Sequence, residues 1–359
     1  MKPYERFLIA LNRGIPDRVP VFEHLFSPSL QEKLVGYKTE LYDGKAVIQL
    51  AAKLGIDATA IPIGGFCGFS DSNSDEKTYV DEWGVSYIKQ GWPIMVQVNN
   101  PVKNRKDWKA YKFPKPIDQK RSIRLRDAIS ANNENIGIVV AVLGPLTMLY
   151  WYLMGILNMS LVLKDDPKLI SEIANEYSEW VIAAARKISE NAGFHAFMIS
   201  DDWGYKNSLL VSPSCLRKYF LKPFEKIVHG LKELGYPVIM HNDGNLWEVL
   251  DDLVATGIDG YHPLERAATM DLKKVKEKYK GILCPIGNVD NKKTMVSGTS
   301  RDVKFETLNC LEVGAPGGGY IISTDHSLHD DIPYLNIYTF INTVKTYGKY
   351  PFRKRRDYV

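Results

Sequence analysis

His241-Asn242-Asp243-Gly244 is the short stretch of this chain with the most obvious chemistry. It follows an apolar run, Pro237 to Met240, of the length of a buried strand. Residues two apart at a strand end point the same way, so His241 and Asp243 can face one ligand together. Imidazole beside carboxylate suits zinc or another divalent ion. His326, Glu265 and Glu23 are each open as a third ligand. The competing reading is that His241 and Asp243 hydrogen-bond each other and shape the turn before Gly244. Asp201-Asp202 ends a second run, Ala196 to Ser200. One of these carboxylates could bind a cationic or hydroxyl group or hold a proton, or cap a helix. Tyr150 and Trp151 follow Gly144-Pro145 and read either as the wall of an aromatic pocket or as helix core. His24, His195, His229, His262 and His329 carry no pattern beyond that of structural or surface histidines. Glycines 317 to 319 precede a strand candidate rather than a helix, which misplaces them for a phosphate loop. There is no GxSxG elbow of a serine hydrolase.

These residues need elements to position them, and the chain supplies an alternation. Eight short apolar runs occur: Val19 to Phe22, Ala58 to Ile63, Ile136 to Leu143, Ala196 to Ser200, Pro237 to Met240, Ile258 to His262, Ile282 to Ile286 and Tyr320 to Ser323. Continuous apolar runs of this length suit strands buried on both faces of a parallel sheet. Most are separated by segments of helical period, the longest being Leu169 to Ala192. The order predicts an α/β fold, a (β/α)8 TIM barrel, with an open doubly wound sheet as the alternative. No GxGxxG follows the first run, which removes the usual dinucleotide reading. The carboxyl ends of the runs would gather Glu23, His24, Asp201, Asp202, His241, Asp243, Glu265, Asn288, Asp325 and His326 at one mouth. Residues 65 to 120 interrupt the alternation after the second run and are expected to form an insertion or lid. Thr78-Tyr79-Val80 and Val85-Ser86-Tyr87-Ile88 read there as a hairpin. The whole, residues 1–359, is expected to be one barrel domain preceded by an amphipathic helix at 3–13.

Composition excludes several classes. Of 359 residues, 45% are hydrophobic and 25% charged, ordinary for a globular chain and unlike a disordered one. A net charge of +4 is too small to imply nucleic acid, and the basic run Arg353 to Arg356 reads as a solvated tail. No apolar stretch approaches the length of a membrane span, and the N-terminal segment lacks the features of a signal peptide. Four scattered cysteines form neither a disulfide framework nor a CxxC pair. They fit a reducing compartment, and the expected location is the cytoplasm.

The sequence resembles the uroporphyrinogen decarboxylase superfamily, especially its corrinoid-linked methyltransferase branch. The resemblance spans nearly the whole chain. It is carried by Glu5-Arg6-Phe7, Pro16-Asp17-Arg18-Val19-Pro20, Asp81-Glu82-Trp83-Gly84, Gly144-Pro145, Asp201-Asp202-Trp203-Gly204, His241-Asn242-Asp243-Gly244-Asn245, Gly287-Asn288-Val289-Asp290 and Gly317-Gly318-Gly319-Tyr320. It implies a (β/α)8 barrel. The decarboxylases carry an arginine-rich motif at the first strand to hold a polyanionic tetrapyrrole. Here that place reads Val21-Phe22-Glu23-His24-Leu25-Phe26-Ser27, with no arginine. The thiol-methylating members bind zinc through His-x-Cys and a later cysteine. Here His241 matches the histidine, Asp243 replaces the first cysteine, and the eighth run is followed by Asp325-His326. The resemblance therefore implies zinc held as a Lewis acid by His241, Asp243 and His326. Asp201, Asp202 and Glu265 are the acid–base candidates. Glu23, Tyr150, Trp151 and Asn288 are the candidates for contacting substrate. The implied reaction moves methyl between a small donor, such as an aryl methyl ether, and the cobalt of a corrinoid carried by a separate protein. A homo-oligomer stays open. The alternatives are a uroporphyrinogen decarboxylase or a non-catalytic tetrapyrrole- or corrinoid-binding relative.

Overall fold

The computed structural model describes residues 1–25, 27–37, 39, 43–63, 78–88 and 96–353. Seven short strands form a parallel sheet in sequential order: Phe22–Glu23, Ala58–Pro62, Gly137–Leu143, Ala196–Ser200, Val238–His241, Gly260–His262 and Cys284–Pro285. They are called the first to seventh strands below. Residues 320–324 close the ring as the eighth. Phe22 N–H donates to the Ile322 carbonyl and Ile322 N–H to that of Pro20, both at 3.0 Å; Gly287 N–H donates to Ile321 O at 3.1 Å. The fold is the expected (β/α)8 barrel. Its strands were legible because both faces are covered; all seven residues of the third strand are buried.

Two apolar cores follow from the pleat. Val139, Ala141, Ala196, Met198 and Ile239 point into the barrel. The residues between them, such as Ile138, Val140, Phe197, Ile199 and Met240, pack against the outer helices. The N-terminal helix Pro3–Leu11 plugs the lower end with Phe7, Ala10 and Leu11. Gly260 permits this: a Cβ there would lie 2.9 Å from Leu11 Cδ1. Below the plug, the buried Asp57 carboxylate accepts from Arg6 (2.7 Å), Arg18 (2.7 and 2.9 Å) and Val21 N–H (2.8 Å). This network accounts for the arginines and acid in the first motifs of the chain.

The insertion contains a three-stranded antiparallel sheet, Thr78–Val80, Ser86–Ile88 and Val96–Asn99. The first two strands are the expected hairpin. The third was not read from the sequence. Asp81 builds the turn by accepting from Trp83 N–H, Val85 N–H and Tyr87 O–H, each at 2.9 Å. Trp83 is buried against Trp180 (ring centroids 4.8 Å apart) and Tyr177 (6.2 Å) of the helix Pro167–Ile188. Residues 64–77 and 89–95 of the expected lid, and the basic run beyond Arg353, lie outside the described residues. Among the described residues no single helix is long and apolar enough to cross a membrane.

Candidate active site at the barrel mouth

The pleat decides which polar residues at the carboxyl ends face the barrel axis. Ile239 points inward, so His241 and Asp243 share its side. Met198 places Asp202 inward by the same step, and Phe22 places His24. Gly260, packed on Ile239 and Leu11, places His262. Four strands thus direct His24, Asp202, His241, Asp243 and His262 to one place above an apolar floor. Phe22 forms that floor, with its ring 5.4 Å from that of His24 and 5.2 Å from that of His262.

Distances confirm two overlapping donor groups among the described residues. Ring nitrogens of His24, His241 and His262 lie within 4.8 Å of one another, as do ligand atoms of Asp202, His241 and Asp243. His241 Nδ1 and His262 Nδ1 are 2.8 Å apart, so one ring donates and the other accepts. His241 Nε2 lies 4.0 Å from Asp243 Oδ1. His326 Nε2 lies 3.4 Å from Asp243 Oδ2, while its Nδ1 meets Ser327 Oγ at 2.7 Å.

Burial sets the charges. It pushes His241 down to about 4, and it holds His24 and His262 well below the usual imidazole range, with neighbouring imidazoles adding to the effect. The three rings are therefore neutral near pH 7. Desolvation opposes the charged form of His326, but the Asp243 carboxylate outweighs it and raises the imidazolium to about 9. Desolvation likewise opposes ionised Asp243, yet His326 and His241 hold it below the ordinary carboxylate range. Asp202 is raised, first by burial and then by the neighbouring Asp243 charge. Asp243 is thus held ionised, and Asp202 keeps its proton to a higher pH than an ordinary carboxyl.

The remaining expected site residues are placed around this centre. Asp201 faces outward, with its carboxylate accepting from Thr147 N–H (2.6 Å) and Trp203 Nε1 (2.7 Å). It caps the segment beginning at Pro145, and Gly144 makes room, since a Cβ there would meet the Asp201 side chain at 2.2 Å. That segment continues into a π-helical turn, Met148–Leu153. The turn brings the Tyr150 phenol close enough to Asp202 for its carboxylate, after burial, to push the phenol up. Trp151 packs edge-on to Tyr150 at 6.2 Å. Its carbonyl accepts from the Asn100 amide at 2.9 Å, tying the turn to the insertion. Glu265 accepts from Gly244 N–H at 2.9 Å and holds the loop that follows Asp243. Glu23 is fully buried between the first and eighth segments, accepting from Thr324 N–H (2.6 Å) and Oγ1 (2.8 Å). Burial raises it to about 8. Asn288 donates to Leu264 O (2.7 Å) and Met270 O (3.1 Å), and lines a cleft of about 450 Å³ with Arg266 and Cys310. Glu23, Asp201 and Asn288 are thus engaged in joining elements, whereas Asp202, His241, Asp243, His326 and Tyr150 converge.

Sequence reasoning placed His24 at the mouth but gave it no role, and it left His262 as an ordinary histidine. The available signal was parity: His24 stands two residues after the apolar Phe22, and His262 ends the sixth run. Spacing within one motif could not reveal it, because His262 meets His241 from the neighbouring sixth strand and His24 meets it from across the barrel.

The sequence profile of uroporphyrinogen decarboxylase (URO-D) matches residues 84–347. The chain belongs to the uroporphyrinogen decarboxylase family. Within this family it is similar to proteins of two descriptions. The methylcobamide:CoM methyltransferase MtbA of Methanosarcina acetivorans is 23% identical over 360 residues, 96% of this chain and 98% of that protein. The uroporphyrinogen decarboxylase of Histophilus somni is 25% identical over 189 residues, 51% of this chain and 50% of that protein. The chain thus matches about half the length of that decarboxylase. Among solved structures, a methyltransferase from Methanosarcina mazei superposes with a TM-score of 0.77 at 20% identity, covering 96% of this chain and 99% of the other. That likeness shows the barrel fold.

The donor chemistry at the mouth fits a divalent ion. Neutral imidazoles and an ionised carboxylate offer lone pairs to one volume. Two buried polar atoms there, His262 Nε2 and Asp243 Oδ1, have no hydrogen-bond partner in the protein. Buried polar atoms rarely stay unsatisfied, and a bound ion or ligand is one remedy.

Proposed function

We propose that the protein transfers a methyl group between a small methylated donor and the cobalt of a corrinoid carried by a separate protein. The observation that carries the reading is the inward convergence of Asp202, His241 and Asp243 at the mouth of a barrel in this family. The end-to-end similarity to a methylcobamide:CoM methyltransferase supports it. His241 belongs to both donor groups and would hold zinc, with Asp243 or the imidazoles of His24 and His262 completing the set, whereas His326, kept as an imidazolium by Asp243, lies outside both groups. When bound, the metal supplies Lewis acidity toward the donor heteroatom.

The residues of the chain do the rest. Tyr150, a neutral phenol beside Asp202, forms one wall. Asp202 carries the proton that the departing heteroatom needs. The carbon–heteroatom bond breaks with its electron pair going to the heteroatom, which takes the Asp202 proton. The methyl carbon bonds to the reduced cobalt of the partner corrinoid. Asp243 stays ionised beside His326, which fixes the carboxylate and balances its charge. Asp201 acts at one remove, anchoring the turn that presents Tyr150. Holding two reactants together would account for much of the acceleration. A polyanionic tetrapyrrole suits this mouth poorly, since the axis presents the ionised Asp243 carboxylate and the first strand supplies no arginine.

The test is a panel of aryl methyl ethers, methylated amines and methyl thiols offered to zinc-loaded protein with cob(I)alamin. The cobalamin absorbance reports methylation, and methylcobalamin with demethylated acceptors reports the reverse direction. Methyl transfer with at least one donor is expected. None in either direction would remove the reading.

A further inference from the structure

We infer that the metal is held by three imidazoles, His24, His241 and His262, rather than by a histidine–carboxylate set. This deepens the metal part of the methyl-transfer reading and rests on it for the role of the ion, although the site itself can be tested without that reaction.

Position comes first. The three histidines end three different strands: His24 follows the first, His241 closes the fifth and His262 closes the sixth. All three are inward by the pleat, so the barrel itself holds them. His24 is 6% and His262 0% exposed. One ring nitrogen of each lies within 4.8 Å of the others. The His24 ring stands edge-on to both partners at 5.2 Å, while the His241 and His262 rings are tilted 28° from parallel with Nδ1 atoms 2.8 Å apart.

The second observation is an orphan. His262 Nε2 is buried with no partner in the protein, and the ring lies over the Phe22 edge, which offers no hydrogen bond. A fully buried imidazole satisfied at one nitrogen alone is costly.

The third observation concerns the competing set. Asp243 Oδ2 is already 3.4 Å from His326 Nε2, and Asp202 Oδ1 accepts from Asp243 N–H at 3.2 Å. Both carboxylates stand nearer solvent than the trio. Asp243 keeps one oxygen, Oδ1, without a partner, and from the solvent side the two carboxylates are better placed to meet a donor molecule than to ligate beneath it. Three neutral ligands leave the ion its full charge. They also leave a fourth position for a reacting group, the pattern of catalytic rather than structural zinc. Neutral nitrogen donors select a borderline divalent ion, zinc first, over magnesium or calcium.

The experiment is X-ray absorption on the full chain loaded with zinc and freed of excess metal, which counts imidazoles directly. Three are expected. One imidazole with oxygen ligands, or no retained zinc, would overturn the inference. Cobalt(II) titration followed by visible absorbance gives a second readout. His24→Ala and His262→Ala should each weaken binding at least a hundredfold, Asp243→Asn less than threefold, and His229→Ala, on an exposed helix position, not at all. The reverse ranking of His262→Ala and Asp243→Asn would also overturn it. The wild-type absorption count decides the matter even where a variant fails to fold. Zinc-dependent methyl transfer with a single-imidazole site would refute this inference and leave the proposed function intact. A three-imidazole zinc with no methyl transfer from any donor would do the opposite.

Discussion

Asp202 and Asp243 show how one environment gives two carboxyls different states. Asp243 has the His326 imidazolium at 3.4 Å and stays ionised, whereas Asp202, half-buried beside that charge, is raised and keeps its proton to higher pH. If Asp202 is the proton donor, Asp202→Asn should lower the methyl-transfer rate by about 10²-fold with KM changed little. The wild-type rate should fall as pH rises through the raised Asp202 value, because the protonated form is the active one, and the asparagine variant should lack that limb. Steady-state kinetics across pH checks both; an unchanged rate would reassign the proton to another group. At this scale the sequence was only partly informative. His241 and Asp243 were legible because they sit two apart on one strand. His24 and His262 were not, since their meaning depends on the closed barrel that brings the first and sixth strands against the fifth. Asp201 and Asp202 looked equivalent as a dipeptide, and only the alternation of the fourth strand separates the outward anchor from the inward acid.

At the scale of elements, short strands were visible as apolar runs and helices as longer periodic segments. The third strand of the insertion, Val96–Asn99, escaped because its Val-Gln-Val-Asn pattern is mostly exposed and carries no burial signal. The π-helical turn at Met148–Leu153 was equally hidden, since its residues are apolar and aromatic on every side. The Asp81 turn makes a clean prediction about the insertion. Burial raises this carboxyl to about 6, above its value of ~4 in an unfolded chain. Its favourable contribution is therefore fully present below ~4 and is lost as pH rises through 6. Asp81→Asn keeps an oxygen for Trp83 and Val85 N–H but cannot ionise. Between pH 4 and 7 the stability difference should move toward the variant by about 2 kcal/mol. Urea denaturation at the two pH values reads it, and a pH-independent difference would refute the assignment.

For the whole molecule, the two ends of the barrel do different work. The lower end is closed by Leu11 and its neighbours and tied by Asp57 to Arg6 and Arg18. Conserving structure rather than chemistry is the usual part of that face. Asp57→Ala leaves two largely buried guanidinium groups short of a partner and should cost about 3 kcal/mol. Its thermal midpoint should drop by several degrees, while methyl transfer per folded molecule stays the same. A loss of activity without a loss of stability would contradict this division. The upper end holds the ionisable cluster, and the account stands on a metal at His241 serving methyl transfer. The most direct measurement is paired zinc content and methyl transfer to cob(I)alamin in wild type and His241→Ala, purified without chelator and offered zinc. The account predicts about one zinc per chain and measurable transfer in the wild type, with both lost in the variant. Undiminished transfer by a zinc-free His241→Ala protein would contradict it.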